Sequence, residues 1–68
     1  MVEGKVKFFD DEKGYGFVLT DEHEGDIFFH YTAIDMEGYK KVNDNAKVKI
    51  GEVLEDDDGL YTEKVVPK

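Results

Sequence analysis

The sequence predicts an all-β protein in which five short strands form one small antiparallel barrel, within a single domain spanning residues 1–68. Short stretches rich in aromatic and β-branched residues alternate with clusters of glycine and aspartate, which is the pattern of strands and turns. No stretch carries the apolar period of a helix longer than one turn. A chain of 68 residues is also too short to cover both faces of a sheet with a second layer.

The predicted elements follow from this alternation. The five strands are expected at about residues 3–9, 15–20, 26–31, 46–55 and 60–66. A helical turn is expected at 32–34, with Ile34 buried, and a long polar connection at 35–45. Gly51 predicts a bend within the fourth strand, where the sheet curls closed.

The stretch Lys13–Val18 alternates aromatic residues with glycine. Side chains two apart on a strand share a face, so Tyr15 and Phe17 point one way and Val18 points into the core. Gly16 lies on the side of Val18, where a side chain would crowd a neighbouring strand.

A second aromatic stretch is Asp26–Tyr31. Phe28 and His30 share one face of this strand, whereas Ile27 and Phe29 share the other. The strand therefore carries rings on the face where a sheet with one apolar side would carry polar residues.

Pairing of these two strands would gather four flat π systems on one face of the sheet: Tyr15, Phe17, Phe28 and His30, with Tyr31 at the end. Such rings can stack on nucleobases. The alternative is that the rings form a core. That core would need a second covering layer, for which the chain has too few residues.

The two aromatic stretches resemble the two ribonucleoprotein motifs of the bacterial cold-shock domain. The flanking residues at 4–9, 33–34, 38–40 and 46–48 agree in collinear order, so the resemblance covers nearly the whole chain. The RNA-recognition motif shares the first stretch but needs two helices and places its partner motif earlier. Here the partner follows, and residues 19–25 are too few for a crossover helix.

The resemblance implies an OB-type barrel that binds single-stranded RNA or DNA. It implies a low-specificity RNA chaperone, acting in the cold-shock response or in the regulation of transcription or translation. The residues that it assigns to binding are Lys7, Phe8, Lys13, Tyr15, Phe17, Phe28, His30, Tyr31, Tyr39 and Lys40.

The roles of Phe8 and Tyr39 depend on where their rings point. The family usually has an exposed tryptophan at the position of Phe8, and phenyl offers less stacking area than indole. Because Val6 points inward, strict alternation would bury Phe8, whereas the resemblance implies an exposed ring there, so a bulge or a strong bend is expected near these residues. Tyr39 either swings over the ring surface or covers the edge of the core.

The net charge of the chain is unusual for a protein that binds nucleic acid. Nine lysines, no arginine and seventeen carboxylates give a net charge of −8, whereas typical nucleic-acid binders are basic. Many carboxylates fall in loops, and the resemblance places the lysines at 5, 7, 13, 40 and 41 near the rings. Because the cations are few, binding is expected to depend only weakly on salt compared with that of a basic protein.

Three other functions compete with this interpretation. The same aromatic face could dock a protein partner or a second copy of the chain, and the acidity favours this alternative. A ribosome-associated S1-like OB module is a further alternative, but the motif pair follows the cold-shock pattern more closely. An enzyme is not expected, because the loop carboxylates and the three threonines lack a base arranged beside them.

Composition bounds the remaining properties. Without cysteine there is no disulfide and no thiolate metal site, and the two histidines are expected to be surface residues, so no metal or cofactor is predicted. No apolar run reaches the length of a membrane span and no signal peptide opens the chain. A cytoplasmic protein is expected, and the sequence leaves open a monomer, a weak dimer or a strand-exchanged dimer.

Overall fold

The computed structural model describes all 68 residues and contains seven strands and no α-helix. The strands are β1 (Val2–Asp10), β2 (Tyr15–Thr20), β3 (His23–His30), β4 (Lys47–Ile50), β5 (Val53–Asp56), β6 (Gly59–Thr62) and β7 (Val65–Pro67). One 3-10 helix, Tyr31–Ala33, follows β3, close to the predicted helical turn.

The antiparallel β2–β3 ladder separates rings from aliphatic side chains. Phe17 lies opposite Phe28 and Val18 lies opposite Ile27 in this ladder. Since successive side chains point to opposite faces, one face of the pair is aromatic and the other is apolar. Val18 and Ile27 are fully buried, as the alternation predicts.

The expectation of five strands is wrong, because two predicted strands are each broken by a corner. The predicted fourth strand splits at Gly51 into β4 and β5, and the predicted fifth splits at residues 63–64 into β6 and β7. At these corners the Gly51 backbone N–H donates to the carbonyl of Lys64 at 2.9 Å. The Thr62 hydroxyl donates to the carbonyl of Glu52 at 3.0 Å, so the two corners are tied together.

The sheet is also not purely antiparallel. Its strand order is β5-β6-β3-β2-β1-β4-β7, and β6 runs parallel to β3 with Phe28 beside Tyr61. A parallel bridge also joins Ile34 to Val65. The parallel pairing arises because the chain leaves β3, adds β4 on the far side of β1, and returns to β3 only with β6.

One hydrophobic core fills the concave side of the curled sheet. Its members come from most strands and from the segment after β3: Val6, Val18, Ile27, Phe29, Ala33, Ile34, Val42, Val48, Ile50 and Val65. Phe29 is the largest fully buried side chain. The burial predicted for Val6 and Ile34 is confirmed.

A bulge in β1 turns Phe8 to the convex face. The register of β1 against β2 shifts between Val6 and Phe8, so that Val6 pairs with Val18 and Phe8 with Phe17. The predicted bulge is therefore confirmed. Gly16 permits the close approach of β1, since a Cβ there would lie 2.4 Å from the carbonyl oxygen of Phe8.

Neighbouring phenylalanines on opposite faces of β3 give a direct test of this arrangement. Phe29→Ala should cost about 3–5 kcal/mol of unfolding free energy, because it empties the centre of the core. Phe28→Ala should cost much less, because Phe28 is 38% exposed. Chemical denaturation of both variants measures the difference, and equal losses would contradict the assigned faces.

Candidate nucleic-acid interface

Four aromatic rings form a continuous cluster on the convex face of β1, β2 and β3. We call Phe8, Tyr15, Phe17 and Phe28 the ring cluster; neighbouring centroids lie 5.6 to 6.1 Å apart. Most of these pairs are tilted or edge-to-face, the geometry that aromatic quadrupoles favour. The rings therefore hold one another in place while parts of their faces stay open.

No second layer covers the ring cluster. Phe28 is 38% exposed, and the other three rings are partly exposed. The fully buried side chains all belong to the core on the opposite face of the sheet. The alternative in which these rings form the core is therefore wrong.

His30 and Tyr31 lie at the upper end of this surface, where β3 passes into the 3-10 helix. Their ring centroids are 4.5 Å apart, and both residues are exposed. His30 Nδ1 accepts the Thr32 backbone N–H at 3.4 Å and lies 3.0 Å from the Thr32 hydroxyl. These contacts engage Nδ1 and leave Nε2 available to a ligand.

Gly14 makes room for Tyr31 beside the start of β2. It adopts a φ of 80°, which favours glycine, and a Cβ there would lie 2.7 Å from the Tyr31 ring. The Gly14 carbonyl also accepts the Tyr31 backbone N–H at 2.8 Å. The turn before β2 therefore sets the position of this ring.

A concave region beside Tyr31 brings together further predicted site residues. Lys13, Tyr39 and Lys40 line it with Tyr31. Tyr39 is 71% exposed, so the alternative in which its ring covers the core edge is wrong. Two lysines and two phenol rings are thus gathered at the upper end of the surface, although they come from three different segments of the chain.

Two of the lysines that the resemblance places near the rings form ion pairs with carboxylates. Lys7 donates to Asp26 with a distance of 3.1 Å from Nζ to Oδ2, and both side chains remain accessible. Lys41 lies 3.8 Å from an Asp11 carboxylate oxygen. Exposed pairs of this kind are weak and can be exchanged for a phosphate contact.

Tyr61 is a surface residue that sequence reasoning missed. It pairs with Phe28 across the parallel β3–β6 ladder, and the two side chains line the same two depressions. Leu60 beside it packs against the core, which leaves Tyr61 on the convex face. The alternation in this strand signals an outward Tyr61, but no local pattern reveals that β6 lies beside β3.

Acidic side chains border the surface on its β5–β6 side. Asp26, Asp56 and Asp58 line a depression together with Phe17, Phe28 and Tyr61.

No group of histidine, cysteine or carboxylate side chains is arranged to hold a metal ion. The structure contains no helix that is long and apolar enough to span a membrane.

A curled all-β sheet that carries aromatic rings from adjacent strands on its open face defines a class of nucleic-acid-binding domain. The family model described as the 'Cold-shock' DNA-binding domain matches residues 2–67. The chain therefore belongs to the cold-shock domain family, whose members bind nucleic acid, and the resemblance found in the sequence is confirmed.

Individual relatives support this membership over most of their length. The chain is 44% identical over 66 residues to a protein named cold shock protein CspA from Staphylococcus saprophyticus, with 97% of each chain covered. It is 41% identical over 64 residues to cold shock-like protein CspD from Haemophilus influenzae, covering 94% of this chain and 88% of the relative. A cold shock-like protein from Thermotoga maritima is 50% identical over 48 residues, 71% of each chain.

Proposed function

We propose that this protein binds single-stranded RNA or DNA by stacking unpaired bases on the ring cluster, and that it acts as a low-specificity RNA chaperone. The observation that carries the proposal is the uncovered ring cluster, built from three adjacent strands. His30, Tyr31 and Tyr39 extend the same surface at its upper end. Family membership supports a nucleic-acid ligand.

Stacking accounts for the preference for single strands. An aromatic ring accepts any base through its π face, at about 1–3 kcal/mol per stacked base. A base inside a duplex offers no free face, so the surface discriminates against double strands without reading their sequence. The His30 ring adds one hydrogen bond through Nε2, as a donor or an acceptor.

The distribution of charge beside the rings orients the bound single-stranded nucleic acid. Asp56 and Asp58 lie on the β5–β6 side, where they repel phosphates. Lys13 and Lys40 lie at the upper end near Tyr31, where Asp11 and Glu12 also line the surface and Asp11 lies 3.8 Å from Lys41. The phosphate backbone is therefore held away from β6 and near the lysines, while the bases lie over the rings.

A chaperone of this kind works without chemical conversion. Binding to the unpaired state alone shifts weak RNA structures toward that state by mass action. The proposal therefore includes no catalytic step, no metal and no cofactor, and it places the activity in the cytoplasm.

The proposal is tested by NMR titration with short oligouridine, short oligothymidine and a duplex control. We expect shifts at residues 8, 15, 17, 28 and 30 with the single strands only. Shifts that are equal with the duplex would contradict recognition by stacking. The absence of shifts with every oligonucleotide would favour the alternative, in which the rings dock a protein partner or a second copy.

Truncation of one ring should weaken binding without unfolding the protein. Phe28→Ala should cost about 1–3 kcal/mol of binding free energy for a short oligothymidine, because one base loses its stacking partner. Calorimetry or fluorescence anisotropy measures the affinity. Met36→Ala is the matched control, since Met36 is also 38% exposed but carries no ring. Equal losses in the two variants would show that apolar area, not stacking, is responsible.

Enlarging the ring at position 8 should strengthen binding. Phe8→Trp places an indole beside Tyr15 and Phe17, and its larger face should raise the affinity for single strands by about 1 kcal/mol. The chain has no other tryptophan, so quenching of this indole by an oligonucleotide reports binding directly. An unchanged affinity would remove position 8 from the proposed site.

Substitutions of Tyr61 test whether β6 contributes to the binding surface. Tyr61→Ala should lower single-strand affinity, whereas Tyr61→Phe should retain it, because the ring and not the hydroxyl provides the stacking face. Thermal unfolding of both variants checks that the fold is kept. If the two variants bind equally well, the ring of Tyr61 takes no part in binding.

A further inference from the structure

Four of the nine lysines lie together on the convex face of the sheet, beyond the ring cluster on the side of β1, β4 and β7. We call Lys5, Lys47, Lys49 and Lys68 the basic stripe; all four are exposed. Their elements are neighbours, since β4 lies between β1 and β7 in the sheet and Lys68 directly follows β7. In a chain with a net charge of −8, this concentration of cations requires an explanation.

The register of the strands brings the charges into direct opposition. Lys5 lies opposite Lys47 in the β1–β4 ladder, and like charges in this position destabilise a sheet. No carboxylate lies within ion-pair distance of Lys5, Lys47 or Lys49. Fold stability therefore does not account for the Lys5–Lys47 pair.

Glu3 is the one acidic side chain within the stripe. Its carboxylate accepts a hydrogen bond from Lys68. This bond and the charge of Lys68 lower the pKa of Glu3, and the nearby Lys49 and Lys47 lower it further. Asp21 borders the stripe beside Lys5 and Leu19. The four lysines outnumber these two carboxylates, so the stripe keeps an excess of positive charge.

The stripe continues directly from the ring cluster. Lys5 lies opposite Leu19, which is two residues beyond Phe17 on the same face of β2. Residues two apart on a strand are separated by about 7 Å, so the row of Lys5 is the next row after that of Phe17. Lys47 extends this row onto β4. A single-stranded nucleic acid that leaves the rings along this row meets lysines and no aromatic side chain.

We propose that the basic stripe binds the phosphate backbone of the same single strand after it leaves the ring cluster, forming a second, sequence-independent part of the site. This inference rests on the proposed function. A polyanion is the ligand favoured by the charge excess and by continuity with the rings. The stripe lengthens the bound segment and adds a salt dependence that the ring cluster alone does not have.

The experiment compares a short and a long oligothymidine, of about 4 and about 16 nucleotides, the range of site sizes known for OB folds. The affinity of each is measured as a function of salt for wild type, Lys47→Gln, Lys5→Gln/Lys47→Gln and Lys64→Gln. Lys64→Gln is the matched control, since it removes one exposed lysine outside the stripe and changes the net charge equally.

Each phosphate contact to a single strand contributes about 0.7 to the slope of log affinity against log salt. We expect Lys47→Gln to reduce the slope by about 0.7, and the double variant by about 1.4, with the long strand. With the short strand, Lys47→Gln should match wild type. Lys64→Gln should match wild type with both strands.

Thermal unfolding provides a readout that separates binding from folding. Because Lys5 and Lys47 repel each other, Lys47→Gln should leave the melting temperature unchanged or raise it. A lower melting temperature with unchanged binding would show that the stripe is structural and would overturn the proposal.

Three binding results would also overturn it. These are an unchanged slope with the long strand, an equal loss with both strands, or an equal loss in Lys64→Gln. None of these results would contradict binding at the ring cluster, provided that the short oligothymidine still binds. Failure of wild type to bind the short strand would instead overturn the proposed function.

Discussion

The β2–β3 register is the constraint on which the rest of the structure depends. With Phe17 opposite Phe28 and Val18 opposite Ile27, a single ladder supplies both the core and the ring cluster. A slip of one residue in either strand would exchange its two faces, burying rings on a side that has no room for them. Burial of the aliphatic side chains therefore fixes the exposure of the aromatic ones, and the stability of the fold and the availability of the site have a common origin.

The bulge in β1 extends this arrangement to a third strand. Val6 is needed in the core and Phe8 is needed on the convex face, yet regular alternation would place both on one side. The register shift between them satisfies both requirements. Gly16 allows it, because only a residue without a side chain fits against the carbonyl of Phe8. The ring cluster thus depends on a backbone irregularity and on a small residue beside it.

The placement of charge reconciles an acidic chain with a polyanionic ligand. The net charge of −8 describes the field at long range, whereas affinity is decided by the groups at the contact surface. The carboxylates of the β5–β6 turn lie on one side of the ring cluster, while Lys13 and Lys40 lie at its upper end and Lys5 and Lys47 lie beyond its row of rings. Repulsion at a distance is expected to slow association more than it weakens the complex.

The sequence by itself determined the properties that depend on local periodicity: the bounds of β2, the two faces of β3 and the crowding at Gly16; its resemblance to the family, and not its periodicity, indicated the bulge before Phe8. It failed where the answer depended on contacts between distant segments. The corners that divide five predicted strands into seven, the parallel placement of Tyr61 beside Phe28, and the opposition of Lys5 and Lys47 were decided by the tertiary structure. The physical reason is that alternation reports which way a side chain points, whereas only the closed hydrogen-bond ladders decide which strands become neighbours.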